Sequence, residues 1–132
     1  MDLKSRVFII DDDPIHQRIA QIMISKQNLF DEYFSYTEAQ KALDFLLENI
    51  EKEDKLPDVI LLDLNMPVID GWEFLETFEV LKTDFKKHIR VFIVSSSVDE
   101  KDMLRSKNYD SVKGFISKPL SPDIIRSIIE TH

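Results

Sequence analysis

Short apolar runs alternate with helical patterns five times along this chain. The runs are continuous, as in Val59-Ile60-Leu61-Leu62, which is typical of strands that are buried on both faces of a parallel sheet. Because parallel strands need crossover connections, the pattern predicts an α/β fold with helices on both faces of the sheet. The predicted strands are residues 6–10, 30–36, 59–62, 89–94 and 112–117.

Apolar residues that recur every three or four positions predict a helix after each strand. Asp13-Pro14 suits the start of the first helix, because Asp is a good N-cap and Pro fits the first turn. Thr37-Glu38-Ala39-Gln40 predicts a capping box for the second, and the fourth, over 98–109, is only weakly amphipathic. The expected apolar faces of the other helices are Ile15, Ile19, Ile22 and Met23; Ala39, Ala42, Leu43, Leu46, Leu47 and Ile50; Phe74, Leu75, Phe78, Leu81 and Phe85; and Ile124, Ile125, Ile128 and Ile129. Met103 and Leu104 are the main apolar pair of the fourth helix.

The composition narrows the class of protein. The 132 residues suit one domain, and a net charge of -8 argues against a nucleic-acid partner. The chain has no Cys, which excludes disulfides and Cys-based zinc sites, and only two Gly, which excludes a glycine-rich nucleotide loop. Since no apolar run is long enough for a signal peptide or a membrane span, we expect a cytoplasmic location and no membrane partner.

Reactive side chains follow four of the predicted strands. Asp11 and Asp12 come after the first, Asp63 after the third, Ser95 after the fourth and Lys118 after the fifth. In a doubly wound sheet the carboxyl ends of the strands open at one edge, which is where such folds bind ligands. We therefore expect these residues to form one site, although they lie far apart in the chain.

The predicted cluster has the groups that phosphorylation of an aspartate requires. Close carboxylates raise one another's pKa unless a cation intervenes, and Mg²⁺ commonly takes one or two carboxylates together with a phosphate oxygen. A carboxylate can also act as a nucleophile and become an aspartyl phosphate. Lys118 and the Ser95 hydroxyl would neutralise and orient the phosphoryl oxygens.

These ordered motifs resemble the receiver domain of two-component response regulators over nearly the whole chain. The resemblance implies a flavodoxin-like (βα)5 fold, with a doubly wound parallel sheet of five strands in the order 2-1-3-4-5. It also implies a single receiver domain over residues 1–132 without an output domain. The matching segments are Ile10-Asp11-Asp12-Asp13-Pro14, Leu62-Asp63-Leu64-Asn65-Met66-Pro67, Asp70-Gly71, Val94-Ser95-Ser96 and Phe115-Ile116-Ser117-Lys118-Pro119.

The resemblance implies a role for each matching residue. Asp63 is the implied phosphoacceptor, assisted by Ser95 and by Lys118, whose bond to Pro119 is cis in the family. Ser95 and Phe115 take the positions of the conformational switch, although Phe115 lacks the hydroxyl of the Tyr that is often found there. The implied ligands of Mg²⁺, or of Mn²⁺ in its place, are Asp11, Asp12, Asp63 and the backbone carbonyl of Asn65.

The partners that the resemblance implies are proteins. A histidine kinase or a histidine phosphotransfer protein would donate the phosphoryl group. The chain would then signal through the face of its fourth helix, fifth strand and fifth helix, or pass the group onward. Such a chain is a phosphoacceptor rather than an enzyme, with slow self-catalysed phosphorylation and dephosphorylation.

Two alternative functions stay open from the sequence. An Asp-nucleophile phosphohydrolase of the haloacid-dehalogenase type carries a second Asp two residues after the nucleophile, where this chain has Asn65, which cannot shuttle a proton. An unphosphorylated adaptor with a receiver fold would have lost an acid or the Lys, and this chain keeps them all. His16, His88 and His132 lack metal-ligand spacing and are expected at the surface, whereas Trp72 is expected in or near the core.

Overall fold

Five parallel strands form one sheet, in the order β2-β1-β3-β4-β5, in the computed structural model of the chain. The predicted fold class and strand order are therefore confirmed. The structure describes residues 5–28, 30–96 and 99–130. The strands are β1 (Arg6–Ile10), β2 (Glu32–Tyr36), β3 (Val59–Leu62), β4 (Arg90–Ser95) and β5 (Val112–Ser117). The helices are α1 (Pro14–Gln27), α2 (Ala39–Glu48), α3 (Gly71–Leu81), α4 (Glu100–Ser106) and α5 (Pro122–Glu130), with a 3₁₀ turn, Lys82–Asp84, after α3.

The two faces of the sheet pack against different helices, because successive side chains of a strand point to opposite faces. In β1, Phe8 and Ile10 belong to the core formed with α2 and α3. Val7 and Ile9 belong to the core formed with α1 and α5. All four residues of the neighbouring strand β3 are buried as well. The neighbouring strands β1 and β3 are thus fixed on both faces, which holds the residues at their carboxyl ends in place.

The buried face of α1 differs from the predicted one. Gln17, Ala20 and Ile24 are buried, whereas Ile15 and Ile22 are exposed. The prediction was wrong for Ile15 and Ile22 because it was drawn through apolar residues alone, and the real inward face includes a polar residue. Met23 does pack against the core. Asp13 caps α1 as predicted, its side chain accepting a hydrogen bond from the Ile15 amide.

Helix capping also differs from the prediction. The capping box predicted at Thr37-Glu38-Ala39-Gln40 is wrong, because Glu38 is the N-cap of α2 and makes no capping hydrogen bond through its side chain. A reciprocal capping box occurs instead at α3, where Asp70 accepts from the Glu73 amide and Glu73 accepts from the Asp70 amide. Asp70-Gly71 therefore begins a helix directly after the loop that follows Asp63.

Helix α4 is short and exposes its apolar residues. Its main apolar pair, Met103 and Leu104, is exposed, and its buried residue is Ser106, in keeping with the weak amphipathicity of the sequence. The expected Leu47 contact in α2 is wrong, since that side chain is exposed. This error arises because the helix buries only a narrow arc against the sheet. The predicted Ile129 contact lies outside the described side chains.

A stack of three side chains connects α4 to α3. The Arg105 guanidinium lies 4.4 Å from the centre of the Trp72 ring, and Tyr109 stacks on the same indole with 5.9 Å between ring centres. Trp72 itself is nearly buried, as predicted. No helix within residues 5–28, 30–96 and 99–130 combines the length and the apolar character needed to cross a bilayer.

Candidate functional site

Three carboxylates meet at the carboxyl ends of the neighbouring strands β1 and β3. Asp11 follows Ile10 of β1, and Asp63 follows Leu62 of β3. Ile10 and Leu62 are opposite each other in the register of the two strands. One oxygen from each of Asp11, Asp12 and Asp63 lies within 4.8 Å of the others. Asp11 and Asp63 are buried, and Asp12 is exposed. The structure therefore brings the predicted acid pair and the predicted acceptor together, with an open side at Asp12.

Lys118 adds a cation to the same pocket. Its Nζ lies 2.8 Å from Oδ2 of Asp11 and 3.7 Å from Oδ1 of Asp63. The side chains of all three residues are only 6–8% exposed. The Lys118 amide donates to the carbonyl of Ser95 at 2.8 Å. The peptide bond between Lys118 and Pro119 is cis, as the resemblance implied. The loop after β5 is thereby held against the end of β4.

The protonation of Asp63 reflects this crowding. Burial and, after it, the neighbouring Asp11 raise the pKa of Asp63 from 3.8 to about 6. The charge of Lys118 and a hydrogen bond from the Asn65 amide, 3.3 Å from Oδ1, lower that pKa but do not cancel the rise. Asp63 is thus mostly ionised at neutral pH and lies in a site with an excess of negative charge.

The donor set fits a hard divalent cation. Three carboxylates of which one is exposed offer oxygen ligands and leave room for water, as Mg²⁺ requires. Burial and, after it, the charge of Asp11 raise the pKa of Asp63 although Lys118 is close, so the protein alone does not fully balance the negative charge at this point. A cation bound among the carboxylates would balance that charge.

The predicted switch residues lie on the two neighbouring strands beyond this pocket. Ser95 is the last residue of β4, rather than the first after it, and is buried opposite Ser117 of β5. Phe115 lies opposite Ile93 and is partly buried. It lines a cavity of about 240 Å³ between α4 and β5, together with Met103 and other residues of both elements. Ser97, which the sequence places two residues after Ser95 and so at the border of the site, lies outside the described residues.

Two residues near the site have surroundings that the sequence prediction missed. His16 was expected at the surface, but its side chain is only 27% exposed, and it lines a small cavity with Asp63 and Lys118. Gln17 is 5% exposed, and its Nε2 lies within hydrogen-bond distance of three backbone carbonyls, of Ile9, Asp11 and Tyr36, which share its two hydrogens. Its spacing of three and seven residues from Ala20 and Ile24 was the signal that could have placed it inward. His88 is exposed as expected, and His132 lies outside the described residues.

Comparison with known proteins points to one family. The family model for the response regulator receiver domain matches residues 7–130. The rice protein called two-component response regulator ORR1 is 30% identical over 125 residues, which are 92% of this chain and 53% of the rice protein. The chain thus spans about half the length of this curated relative.

Solved structures agree with the sequence match. A two-component response regulator from Cytophaga hutchinsonii aligns with a TM-score of 0.84 and 28% identity, over 98% of this chain and 96% of that one. The phosphorylated cyanobacterial phytochrome response regulator RcpA aligns with a TM-score of 0.73 and 27% identity, over 98% of this chain and 90% of that one.

Proposed function

Because this chain belongs to the response regulator receiver-domain family of two-component signalling, we propose that it accepts a phosphoryl group on Asp63. The observation that carries the proposal is the convergence of Asp11, Asp12 and Asp63 around one point, with the Lys118 ammonium beside them. The relative RcpA, solved in a phosphorylated form, supports it. The family is a phosphoacceptor family, which disfavours the phosphohydrolase alternative.

The transfer is a displacement at phosphorus. A carboxylate oxygen of Asp63 forms the new P–O bond while the P–N bond to the histidine of a kinase or phosphotransfer protein breaks, and the imidazole leaves with the electron pair. A carboxylate is competent for this step only when ionised, and Lys118 helps to keep Asp63 ionised. The reaction therefore depends on a cation close to the nucleophile.

Asp11, Asp12, Asp63 and the Asn65 carbonyl would hold Mg²⁺ or Mn²⁺. When bound, such an ion neutralises phosphoryl oxygens and the excess negative charge of the acids. Lys118 neutralises the negative charge on a further oxygen of the transferred phosphoryl group, and the Ser95 hydroxyl donates a hydrogen bond to another oxygen. Since the Lys118 side chain is 7% exposed, its charge acts with little screening by water.

The signal would leave through α4, β5 and α5. The cavity between α4 and β5 adjoins Phe115 and the exposed Met103, so a partner can reach both residues. Movement of the Ser95 hydroxyl towards the phosphoryl group makes room for Phe115 to turn inward. Because α4 buries little of its own surface, it can change position at small cost.

Labelling with acetyl phosphate and Mg²⁺ tests the acceptor. We expect the wild-type protein to gain one phosphoryl group by mass spectrometry, and peptide mapping after borohydride reduction to locate it at Asp63. Asp63→Asn should gain none, whereas Asp54→Asn, which removes an exposed loop carboxylate, should label like the wild type. Equal labelling of Asp63→Asn would refute the proposal.

The fluorescence of Trp72 tests the change in α4. The indole contacts both Arg105 and Tyr109, so displacement of α4 alters its surroundings. We expect acetyl phosphate with Mg²⁺ to change the emission of the wild-type protein but not that of Asp63→Asn. Emission that stays constant on full phosphorylation would contradict movement of α4.

A further inference from the structure

Gln17 is a buried polar side chain that no step of the proposed transfer uses. Its Nε2 lies 3.0 Å from the carbonyl oxygen of Ile9, 3.0 Å from that of Asp11 and 2.9 Å from that of Tyr36. Three acceptors around one nitrogen fix the orientation of the amide, because the flipped amide would set Oε1 against three oxygens. The side chain is therefore a donor to the ends of β1 and β2.

The Gln17 amide lies where the backbone hydrogen bonds between β1 and β2 end. Ile10 and Tyr36 are the last paired residues of β1 and β2, and the Asp11 amide still donates to the Tyr36 carbonyl at 3.0 Å. The Asp11 carbonyl lies one residue beyond that register. A buried carbonyl requires a donor, and the Gln17 amide supplies it in place of a further strand residue. Gln17 thus fixes the peptide that joins Asp11 to Asp12.

Asp12 depends on this peptide more than Asp11 does. The Asp11 carboxylate is also held by Lys118 and by the amide of Asp13, 2.9 Å from Oδ1. The Asp12 carboxylate is exposed and has no hydrogen bond or ion pair with any residue of 5–28, 30–96 and 99–130. The direction of its Cα–Cβ bond, and with it the positions that the carboxylate can reach, is therefore set by the backbone, which Gln17 holds through the preceding carbonyl.

We propose that Gln17 is a positioning residue for the divalent-metal site, acting through the Asp11–Asp12 peptide. The inference rests on the proposed function, which calls for the metal. Residues that orient metal ligands typically change metal affinity by 10- to 100-fold when they are replaced. Loss of the Gln17 amide should let the Asp12 carboxylate turn away from Asp11 and Asp63, and so weaken metal binding by about tenfold.

The test compares the same substitution at two positions of α1. Gln17→Met keeps the length of the side chain and removes the donor. Gln21→Met makes the same chemical change one turn later, where the amide donates to the Ser35 hydroxyl at 2.7 Å rather than to strand-end carbonyls. Mn²⁺ affinity is measured by electron paramagnetic resonance of the free ion, and the unfolding temperature is measured without metal.

We expect the dissociation constant for Mn²⁺ to rise about tenfold in Gln17→Met and to stay unchanged in Gln21→Met. Should Gln17→Met fail to fold, Gln17→Asn, which keeps an amide that is too short to reach, is expected to show the same loss. A merely structural role would lower the unfolding temperature and leave the Mn²⁺ affinity of the folded variant intact, and that result overturns the inference. A wild-type protein that binds no Mn²⁺ refutes the metal site itself, and this inference with it.

Discussion

The ammonium group of Lys118 forms a buried ion pair with Asp11, its Nζ 2.8 Å from Oδ2. The same nitrogen is 3.7 Å from Asp63, so one cation lies between two carboxylates. Burial and Asp11 raise the pKa of Asp63 to about 6, and the charge of Lys118 limits that rise. Lys118 therefore helps to keep the proposed acceptor ionised at neutral pH.

Lys118→Met should raise the pKa of Asp63 further, because the largest opposing charge is lost. We expect the carboxyl resonance of Asp63 to titrate above pH 6 in an NMR experiment, and labelling by acetyl phosphate at pH 7 to slow by at least roughly tenfold. Lys87→Met is the matched control, because Lys87 is similarly buried and pairs with Asp58 at 3.1 Å, before the start of β3. An unchanged titration of Asp63 in Lys118→Met would contradict the argument.

Asp63→Asn should stabilise the metal-free protein at neutral pH. The folded-state pKa of Asp63 is raised above 3.8 by burial and by Asp11, so the folded protein holds the proton more tightly than the unfolded chain does. Stability is consequently lost as the pH rises from about 4 to about 6 and stays lost above that range. The shift of about two pKa units corresponds to roughly 2–3 kcal/mol at pH 7.5.

Urea unfolding of Asp63→Asn and wild type in the presence of a chelator measures this difference. We expect the gain in the free energy of unfolding of Asp63→Asn over wild type to shrink as the pH falls from 6 and to vanish near pH 4. Asp58→Asn is the control for loss of a carboxylate as such: Asp58 accepts from the Arg6 amide at 2.8 Å and pairs with Lys87, so its replacement should lower rather than raise the free energy of unfolding. A gain in stability that does not depend on pH would show that the charge of Asp63 is not its cause.

The fold was predictable because its main signals are local. The continuous apolar runs of β1 and β3 predicted their bounds correctly, since strands that are buried on both faces contain almost no polar residues. The bounds of the edge strand β5 were also correct, although it contains Lys113 and is only partly buried. The convergence of Asp11, Asp63 and Lys118 followed from topology alone, as all three lie at carboxyl ends of parallel strands.

The errors concern side chains whose surroundings depend on packing. Gln17 was missed because only apolar residues were counted towards the inner face of α1. Its spacing from Ala20 and Ile24 could have placed it inward, but the strand carbonyls that surround its amide could not be identified from a local pattern. The surroundings of α4 were not predicted either: Met103 and Leu104 are exposed, and Arg105 lies over the ring of Trp72. The sequence gives no indication of that contact.

Gly71→Ala should damage both the fold and the site. A Cβ at Gly71 would lie 2.6 Å from the carbonyl oxygen of Asp63 and 2.8 Å from the Cα of Leu64, which are backbone atoms. The loop after β3 would have to shift and carry Asp63 with it. We expect a loss of about 1–3 kcal/mol in the free energy of unfolding and slower labelling by acetyl phosphate.

Gly114→Ala is the matched control for Gly71→Ala. Its Cβ would meet the ring of Phe92 at 2.9 Å, a side chain rather than backbone. We expect it to destabilise the protein while leaving the rate of labelling of the folded protein unchanged. Similar labelling rates for the two folded variants would mean that the Gly71 contact does not position Asp63.

Glu79→Gln should weaken the connection between α3 and the start of β5. Glu79 pairs with Lys82 and accepts from the Ser111 amide at 3.0 Å. Burial raises the pKa of Glu79, but the hydrogen bonds from Lys82 and Ser111 outweigh it, so that the pKa lies below its ordinary value of 4.5. A carboxylate with such a lowered pKa stabilises the fold above pH 4.5. This contribution is lost as the pH falls through the pKa of the folded state.

We expect Glu79→Gln to lower the free energy of unfolding by about 1 kcal/mol at pH 7, with a smaller difference from wild type at pH 3. Denaturant unfolding at the two pH values measures it. Glu76→Gln, one turn earlier in α3, removes an exposed carboxylate whose oxygen is 3.9 Å from Arg105, and should change stability by less than about 0.5 kcal/mol. An equal effect of the two substitutions would be inconsistent with a specific role for Glu79.

Val68 has backbone strain that its side chain does not offset. It adopts φ 68°, in the left-handed region that a β-branched residue rarely enters, and its side chain is 93% exposed. Asn tolerates this conformation, so Val68→Asn should raise the free energy of unfolding by about 1 kcal/mol. Val80→Asn is the control, because Val80 is an exposed residue within α3, where Val and Asn have similar helix propensities. Urea unfolding should show stabilisation at position 68 and little change at position 80, and a loss of stability in Val68→Asn would show that the left-handed backbone does not strain the wild-type protein.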